Sequence, residues 1–465
     1  MHLRIAVGLL ASSILLSPNP ASCEIPDAPP NILLILADDL GYGDLGCYGA
    51  MKQLTPNLDR MAAEGMRFTD FYMSSPVCSP SRASILTGCY HVRLGINHVL
   101  WPSAMKGLNP DEVTIAEVLK TRGYETRYYG KWHVGDQKPF LPTRQGFDGY
   151  FGIPYSHDMP SLVRVKKDKG QLNPVQLRVL PLMRDEKVDE LISDISPLMR
   201  RYVDELSGFM KASTEAKKPF FAMLSTHAVH LPMDPPKDFK NRSRNGSYGD
   251  WIEELDSGVG TLFEVIKELG IAENTLVIFT SDNGPAKSSR GTAYPLRGTK
   301  ATTWEGGVRT PFIAWWPGKI RAGEVCREIG ASPDILPTLA SAANAKPAAA
   351  GALDGVDLLP LLFGQELVRS PRTDFVYYQG ANLVAVREGP WKLHLISPTG
   401  VKDALYNLAD DPGETNNLSK RHPDAVDHLR ELADVTAAEL GDRLKVGRRV
   451  RVVGQVSKVI PLIGN

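Results

Sequence analysis

The chain has 465 residues, enough for one large domain with a sizeable core plus a smaller one. Lys plus Arg and Asp plus Glu both number 53, so no overall charge directs it towards nucleic acid or an anionic membrane. Hydrophobic residues make up 43%, the level of a soluble globular protein.

The N-terminus departs from that average. His2 and Arg4 precede an apolar run from Ile5 to Leu16, which gives way to Ser17-Pro18-Asn19-Pro20-Ala21-Ser22-Cys23. A basic start, a short apolar stretch and small residues predict a secretory signal over residues 1–22, and hence a periplasmic or extracellular protein. A lipoprotein box with Cys23 as the lipid carrier is the weaker alternative, because Pro20 fits it poorly. The run is too short to span a bilayer, and no later stretch is long enough. Cys47, Cys78, Cys89 and Cys326 are too few for a disulfide framework. One bridge among Cys47, Cys89 and Cys326 fits the sequence, but free thiols are the expectation.

Asn31-Ile32-Leu33-Leu34-Ile35-Leu36-Ala37 is continuously apolar, the pattern of a central strand buried on both faces. It ends in Asp38-Asp39, which reads equally as a solvated turn or as two carboxylates that something must neutralise. Thr55 to Gly65 predicts a helix with a Thr cap, Pro56 in its first turn and Gly65 as its stop. Ser75 to Gly88 predicts a short helix with Cys78 at its N-terminus, where unpaired N–H groups favour an anion. Cys78 has three readings: a buried structural thiol, a cysteine-phosphatase nucleophile, or the modified cysteine of a Cys-x-Pro-x-Arg motif. The second needs an Arg where Ser84 stands; Cys78-Ser79-Pro80-Ser81-Arg82 meets the third.

A capped helix over Thr114 to Gly123 leads into a strand at Thr126–Tyr129, ending in Gly130-Lys131-Trp132-His133-Val134-Gly135. Residues 160–215 are charged and hard to read, with a helix expected from Pro197 to Lys211. Phe220–Ser225 is a third strand and runs into Thr226-His227-Ala228-Val229-His230. Trp251, Leu255, Val259, Leu262, Ile266 and Leu269 share one face of a long helix stopped by Gly270. Leu276–Thr280 is a fourth strand, followed by Ser281-Asp282-Asn283-Gly284, and Phe312–Trp316 is a fifth. This alternation predicts an α/β fold with a large mixed, mostly parallel sheet sandwiched by helices. Ligands bind beyond the carboxyl ends of such strands, and four of these ends carry reactive groups.

After an Ala-rich surface connection at Ser341–Ala352 the pattern changes. Asp374–Tyr378, Leu383–Arg387, Trp391–Ile396 and Ala404–Leu408 predict a smaller C-terminal antiparallel sheet, with a helix from Pro423 to Leu440 against it. The predicted division is residues 23–370, 371–440 and a basic tail, 441–465. That tail carries six basic residues and one acidic one and is expected to be a solvated extension.

Asp38, Asp39, Asp282 and Asn283 form an all-oxygen set that suits a hard divalent cation, Ca2+ before Mg2+. Arg82, Lys131 and Lys300 add positive charge suited to a compact anionic ester. His133 and His230 are candidates for proton transfer, while His227 keeps a structural reading.

Taken together, Cys78-Ser79-Pro80-Ser81-Arg82, Gly130-Lys131-Trp132-His133-Val134-Gly135 and Lys300 to Arg309 resemble the signatures of the type I, formylglycine-dependent sulfatases. Phe151-Gly152-Ile153-Pro154-Tyr155-Ser156-His157-Asp158 is similar to the arylsulfatase branch. The likeness spans Asn31 to Leu418 and implies an alkaline-phosphatase-like fold. It implies that a formylglycine-generating enzyme converts Cys78 to formylglycine (3-oxoalanine), whose hydrate attacks sulfur while bound to one Ca2+. By the same likeness Asp38, Asp39, Asp282, Asn283 and position 78 hold the cation. Lys131, Lys300, Ser156 and His230 bind the sulfate group and Arg82 the hydrate. His230, with Lys300, protonates the departing alcohol, and His133 takes the proton that lets sulfate leave. The expectation is a sulfuric ester hydrolase acting on aryl or, preferably, carbohydrate sulfates. A phosphoesterase or phosphonate hydrolase of the same fold and a non-catalytic binder of sulfated glycans are the alternatives.

Overall fold

The computed structural model describes residues 29–165, 175–346, 353–364, 369–443 and 445–463. The predicted signal segment and Cys23 lie outside the described residues, as do residues 347–352 of the Ala-rich connection. The main sheet has eleven strands among the described residues. In chain order they are β1 (Asn31–Ala37), β2 (Met66–Phe68), β3 (Glu125–Gly130), β4 (Gly149–Gly152), β5 (Ser161–Val165) and β6 (Val175–Arg184). They continue as β7 (Lys187–Ile192), β8 (Phe220–Ser225), β9 (Thr275–Ser281), β10 (Phe312–Trp315) and β11 (Glu324–Cys326). The order is β11-β2-β10-β9-β1-β8-β3-β4-β6-β5, with β7 paired to β6. The centre, β9-β1-β8-β3-β4, is parallel, and antiparallel pairs flank it on both sides.

The apolar run in β1 explains why it sits at the middle. Ile32, Leu34 and Leu36 enter one core and Leu33, Ile35 and Ala37 the other, so neither face can be polar. Each of these Leu and Ile side chains, fully buried, contributes about 1.5–3 kcal/mol of transfer free energy. The first core is closed by α2 (Cys78–Thr87), α3 (Ile115–Lys120) and the helix Ile335–Ala342. On the other face lie α1 (Pro56–Glu64), α4 (Leu198–Glu215) and α5 (Gly246–Glu268). The helix expected to start at Pro197 is thus α4, and part of the charged segment before it extends the sheet edge as β5 to β7. Thr114 caps α3 through a reciprocal box with Glu117. Thr55 does not cap α1; its hydroxyl accepts from Gly46 N–H at 2.8 Å and donates to Asp59 at 3.0 Å.

The small sheet comprises Asp374–Gln379, Asn382–Glu388, Trp391–Ile396 and Lys402–Asn407, antiparallel throughout. The helix Pro423–Leu440 packs on it through Leu429, Ala433 and Leu440. Tyr72, Tyr90 and Val308 of the main body enter the same core, so the two sheets are packed together. Among the described residues Cys47, Cys78, Cys89 and Cys326 form no disulfide.

A further expectation is overturned. The basic tail is not a solvated extension: Gly454–Gln455 pairs antiparallel with Lys106–Gly107, and Val456 N–H donates to Met105 C=O at 2.9 Å. Arg451 forms an ion pair with Glu112, and Ile460 N–H reaches Gln137 at 2.8 Å. Arg448 and Arg449 pair with Glu439 as Arg451 does with Glu112, a use that charge content alone does not reveal.

Candidate active site

Four neighbouring parallel strands, β9, β1, β8 and β3, deliver their carboxyl ends to one edge of the sheet, and α2 presents Cys78 there. Glycine makes one of these exits possible. Gly130 has φ +96°, and a Cβ on it would stand 1.9 Å from Ser225 O, so no other residue fits before Lys131. Asp39, His133 and Ala301 adopt left-handed backbone at φ 61°, 63° and 63° although none is glycine. Strained positions of this kind persist only where the surroundings over-determine them, and they cluster at functional sites.

Cys78 is buried with its Sγ 3.5 Å from Asp38 Oδ1, 4.0 Å from Asp39 Oδ1 and 3.4 Å from Lys300 Nζ. Burial, reinforced by the charge of Asp282, pushes its thiol well above the ordinary cysteine range. A thiol held protonated is a poor nucleophile, which argues against cysteine-phosphatase chemistry in its native form.

Lys131 Nζ donates to Asp38 Oδ2 at 2.6 Å and to Ser156 Oγ at 3.1 Å. Lys300 Nζ lies 2.6 Å from Asp39 Oδ1. Arg82, wholly buried, donates through Nε and Nη2 to Asp282 Oδ2 at 2.9 and 2.7 Å, and through Nη1 to Lys131 C=O at 2.8 Å. Asp38, Asp39 and Asp282 therefore face Arg82, Lys131 and Lys300, three charges of each sign. Breaking such a buried set by removing one member typically costs about 3–5 kcal/mol. Burial alone would raise the Asp38 pKa, yet Lys131, His230, Arg82 and Lys300 together hold it well below the usual carboxylate range. Asp282 is raised by burial and by its neighbour Asp38. Burial acts to lower Lys300, but Cys78 and the three carboxylates hold it well above its ordinary value.

The donor atoms of Asp38, Asp39, Cys78 and His230 all lie within 4.8 Å of one another, a grouping able to hold a metal ion. Asp282 and Asn283 stand directly behind: Asp282 Oδ1 accepts from Asp39 N–H at 3.2 Å and Asn283 Nδ2 donates to Asp39 Oδ1 at 2.8 Å. Asn283 Oδ1 is buried without a hydrogen-bond partner. A buried orphan acceptor beside carboxylates fits a hard cation better than it fits an apolar neighbour. Of the expected all-oxygen set, Asp38 and Asp39 thus share the cluster with Cys78 and His230, while Asp282 and Asn283 adjoin it through Asp39.

The two histidines differ. His133 Nε2 lies 3.1 Å from Leu100 C=O, which fixes its proton there, and Nδ1 is buried without a partner. Burial, with Lys131 and Arg82, drives its pKa well down, leaving a neutral ring with a free lone pair. His230 Nδ1 donates to Leu231 C=O at 2.6 Å, and Nε2 stands 3.6 Å from Asp39 Oδ2. Two further elements escaped sequence reading. Ser225, at the end of β8, accepts from Arg82 and donates to Lys131 C=O at 2.9 Å. His157 packs edge-on against His227 and His230 at centroid distances of 5.5 and 5.4 Å. Its place beside Ser156 was the available signal. Burial drives both His157 and His227 down to about 3, so they pack as neutral rings.

The sequence profile of the family described as Sulfatase matches residues 30–345. The chain is 42% identical to arylsulfatase A of Homo sapiens over 450 residues, 87% of each protein. It is 40% identical to N-acetylgalactosamine-6-sulfatase of Sus scrofa over 454 residues, 87% of this chain and 84% of that one. Among solved structures, PsFucS1 sulfatase from Pseudoalteromonas sp. superposes with a TM-score of 0.77 at 29% identity, covering 88% of this chain and 90% of the other. The architecture is the alkaline-phosphatase-like sandwich.

Proposed function

The chain belongs to the sulfatase family and is a sulfate ester hydrolase, and from that premise we propose that it cleaves carbohydrate sulfates using formylglycine at position 78 and one Ca2+. The observation that carries the proposal is the setting of Cys78: a protonated thiol, unsuited to attack as it stands, enclosed by Asp38, Asp39 and Lys300. Converted to formylglycine by a formylglycine-generating enzyme, this position supplies a hydrated aldehyde, an oxygen nucleophile that can later release sulfate by elimination. Asp38, Asp39, Asp282, Asn283 and position 78 would hold Ca2+, which supplies Lewis-acid polarisation and charge neutralisation.

The chain's own side chains account for the rest. The ammoniums of Lys131 and Lys300 and the hydroxyl of Ser156 converge on one small space and bind sulfate oxygens. Arg82 is held in place by Asp282 and the Lys131 carbonyl, so its guanidinium orients position 78 without moving. His230 donates a proton from Nε2 to the departing sugar oxygen, assisted by Lys300. His133, neutral with Nδ1 free, accepts the proton whose loss from position 78 frees sulfate.

Export belongs to the same proposal, resting on the basic and apolar N-terminal segment; among the described residues no helix is long and apolar enough to cross a membrane. The domain division at 370 and 440 also remains our reading. The test is peptide mass spectrometry of the segment containing Cys78 from enzyme made with a formylglycine-generating partner, combined with a panel of sulfated sugars, aryl sulfates and phosphate or phosphonate esters. An aldehyde at position 78 and turnover of sulfated sugars support the proposal. An unmodified thiol in fully active enzyme, or preference for phosphate or phosphonate esters, defeats it.

A further inference from the structure

Six of the seven tryptophans are buried or half-buried, whereas Trp101 is 66% exposed. Indole carries the largest apolar side-chain surface, and although a singly exposed apolar residue is ordinary, the location of this one gives it meaning. Leu100, the preceding residue, is pinned to two residues of the site. Its N–H donates to Ser79 Oγ at 3.0 Å, next to Cys78, and its carbonyl lies 3.1 Å from His133 Nε2. Trp101 therefore stands at the rim of the site, one residue beyond the group that sets the His133 tautomer.

The turn carrying Trp101 is held firmly. Ala104 N–H closes it onto Trp101 C=O at 3.1 Å, and Ser103 N–H donates to Asp136. From behind, the C-terminal tail pairs with Lys106–Gly107 and bonds Met105. On the neighbouring side His98 abuts Gly380, at the tip of the first hairpin of the small sheet, and Gln379 Nε2 donates to Ala301 C=O at 2.9 Å. An exposed indole on a turn fixed from two sides loses little entropy when it binds.

We infer that Trp101 is a substrate-binding residue, the aromatic platform on which a pyranose ring of the sulfated substrate lies. The C–H groups on one face of a pyranose carry partial positive charge and suit the electron-rich face of indole, while the sugar hydroxyls remain at the wet edge. The inference rests on the proposed carbohydrate reading, and it assigns to Trp101 discrimination by the sugar rather than by the sulfate group.

The test uses the mature enzyme and its Trp101→Ala and Trp101→Phe variants. Steady-state kinetics are measured on a sulfated N-acetylhexosamine, together with the inhibition constant of inorganic sulfate. Loss of one stacking contact should raise KM for the sugar sulfate roughly tenfold in Trp101→Ala, with a much smaller change in kcat. Trp101→Phe should recover most of that loss, and sulfate inhibition should stay at the wild-type value in both. An unchanged KM in Trp101→Ala would overturn the inference. So would a parallel weakening of sulfate inhibition, because that reports collapse of the turn onto His133. If wild-type enzyme cleaves no sulfated sugar, the carbohydrate reading itself falls; activity on the sugar with an indifferent Trp101→Ala removes only the platform.

Discussion

The ammonium of Lys300 stands 3.4 Å from the sulfur of Cys78, although 222 positions separate them in the chain. The contact is built from both sheets. Ala301 N–H donates to Pro76 C=O at 2.9 Å, tying the Lys300 segment to the loop before Cys78. From the small sheet, Lys392 Nζ reaches Thr303 C=O and Glu305, each at 2.9 Å. The small sheet thus buttresses the segment that carries Lys300, the lysine proposed to bind sulfate.

The first prediction follows from that enclosure. Cys78→Ala should fold, because it removes one sulfur from a helix whose other contacts stay in place. Turnover should nevertheless fall by roughly 10⁴-fold or more, the scale of losing a nucleophile. Circular dichroism and kcat on an aryl sulfate check both halves; near-normal kcat would remove position 78 from the reaction.

Metal removal is the second. Chelation should abolish hydrolysis and added Ca2+ should restore it, with one ion per chain by elemental analysis. Asn283 Oδ1 is buried and unpartnered. Asn283→Ala should therefore raise the Ca2+ concentration needed for half-maximal activity by at least roughly tenfold, without unfolding the protein. Full activity in metal-free enzyme would refute the assignment.

A third prediction concerns stability against pH. Glu254 on α5 is buried with Oε2 unpartnered, and burial, reinforced by Asp238, raises its pKa to about 8. An acid whose folded pKa lies above its unfolded value takes up a proton on folding. Its penalty is absent below the unfolded value of 4.5, grows as pH rises from there and is complete above about 8. The full cost is on the order of 5 kcal/mol. Glu254→Gln should remove this slope, leaving a melting temperature higher than wild type at pH 8.5 and nearly equal to it at pH 5. Parallel melting curves across that range would show the carboxyl to be paired.

Much of this was legible in advance for a physical reason. The buried strands read as unbroken apolar runs, and their loaded tips, Asp38-Asp39, Lys131 with His133, His230 and Asp282-Asn283, follow directly in the chain. The helix Pro423–Leu440 matches its start and stop residues at both ends. What was not legible depends on tertiary partners. Residues 161–165 and 175–192 form edge strands whose mixed pattern becomes readable only beside β4. The tail looked like free charge until Glu112, Met105 and Gln137 supplied partners. Ser225 and His157 act through neighbours remote in sequence, and Trp101 has meaning only because Leu100 is pinned beside Cys78.

The last prediction separates the two histidines. His230 Nδ1–H is committed to Leu231 C=O, so a proton on Nε2 makes the ring an imidazolium beside Asp39. If Nε2 delivers that proton to the departing oxygen, the value of His230 must track how badly that oxygen needs it. A nitrophenolate leaves readily as an anion, whereas a sugar alkoxide does not. General acid catalysis is worth about 10²–10⁴ in rate, and most of it should appear only with the poor leaving group. His230→Ala should therefore cripple cleavage of a sugar sulfate by roughly 10²-fold or more while sparing much of the activity on nitrophenyl sulfate. His133→Ala should slow both substrates alike, because the proton assigned to His133 in the proposed reaction is lost after the alcohol has gone. Measuring kcat for both substrates in both variants decides the matter. Equal losses in His230→Ala would mean that His230 only positions sulfate, and Lys300, 3.4 Å from Cys78 Sγ, would then be the acid.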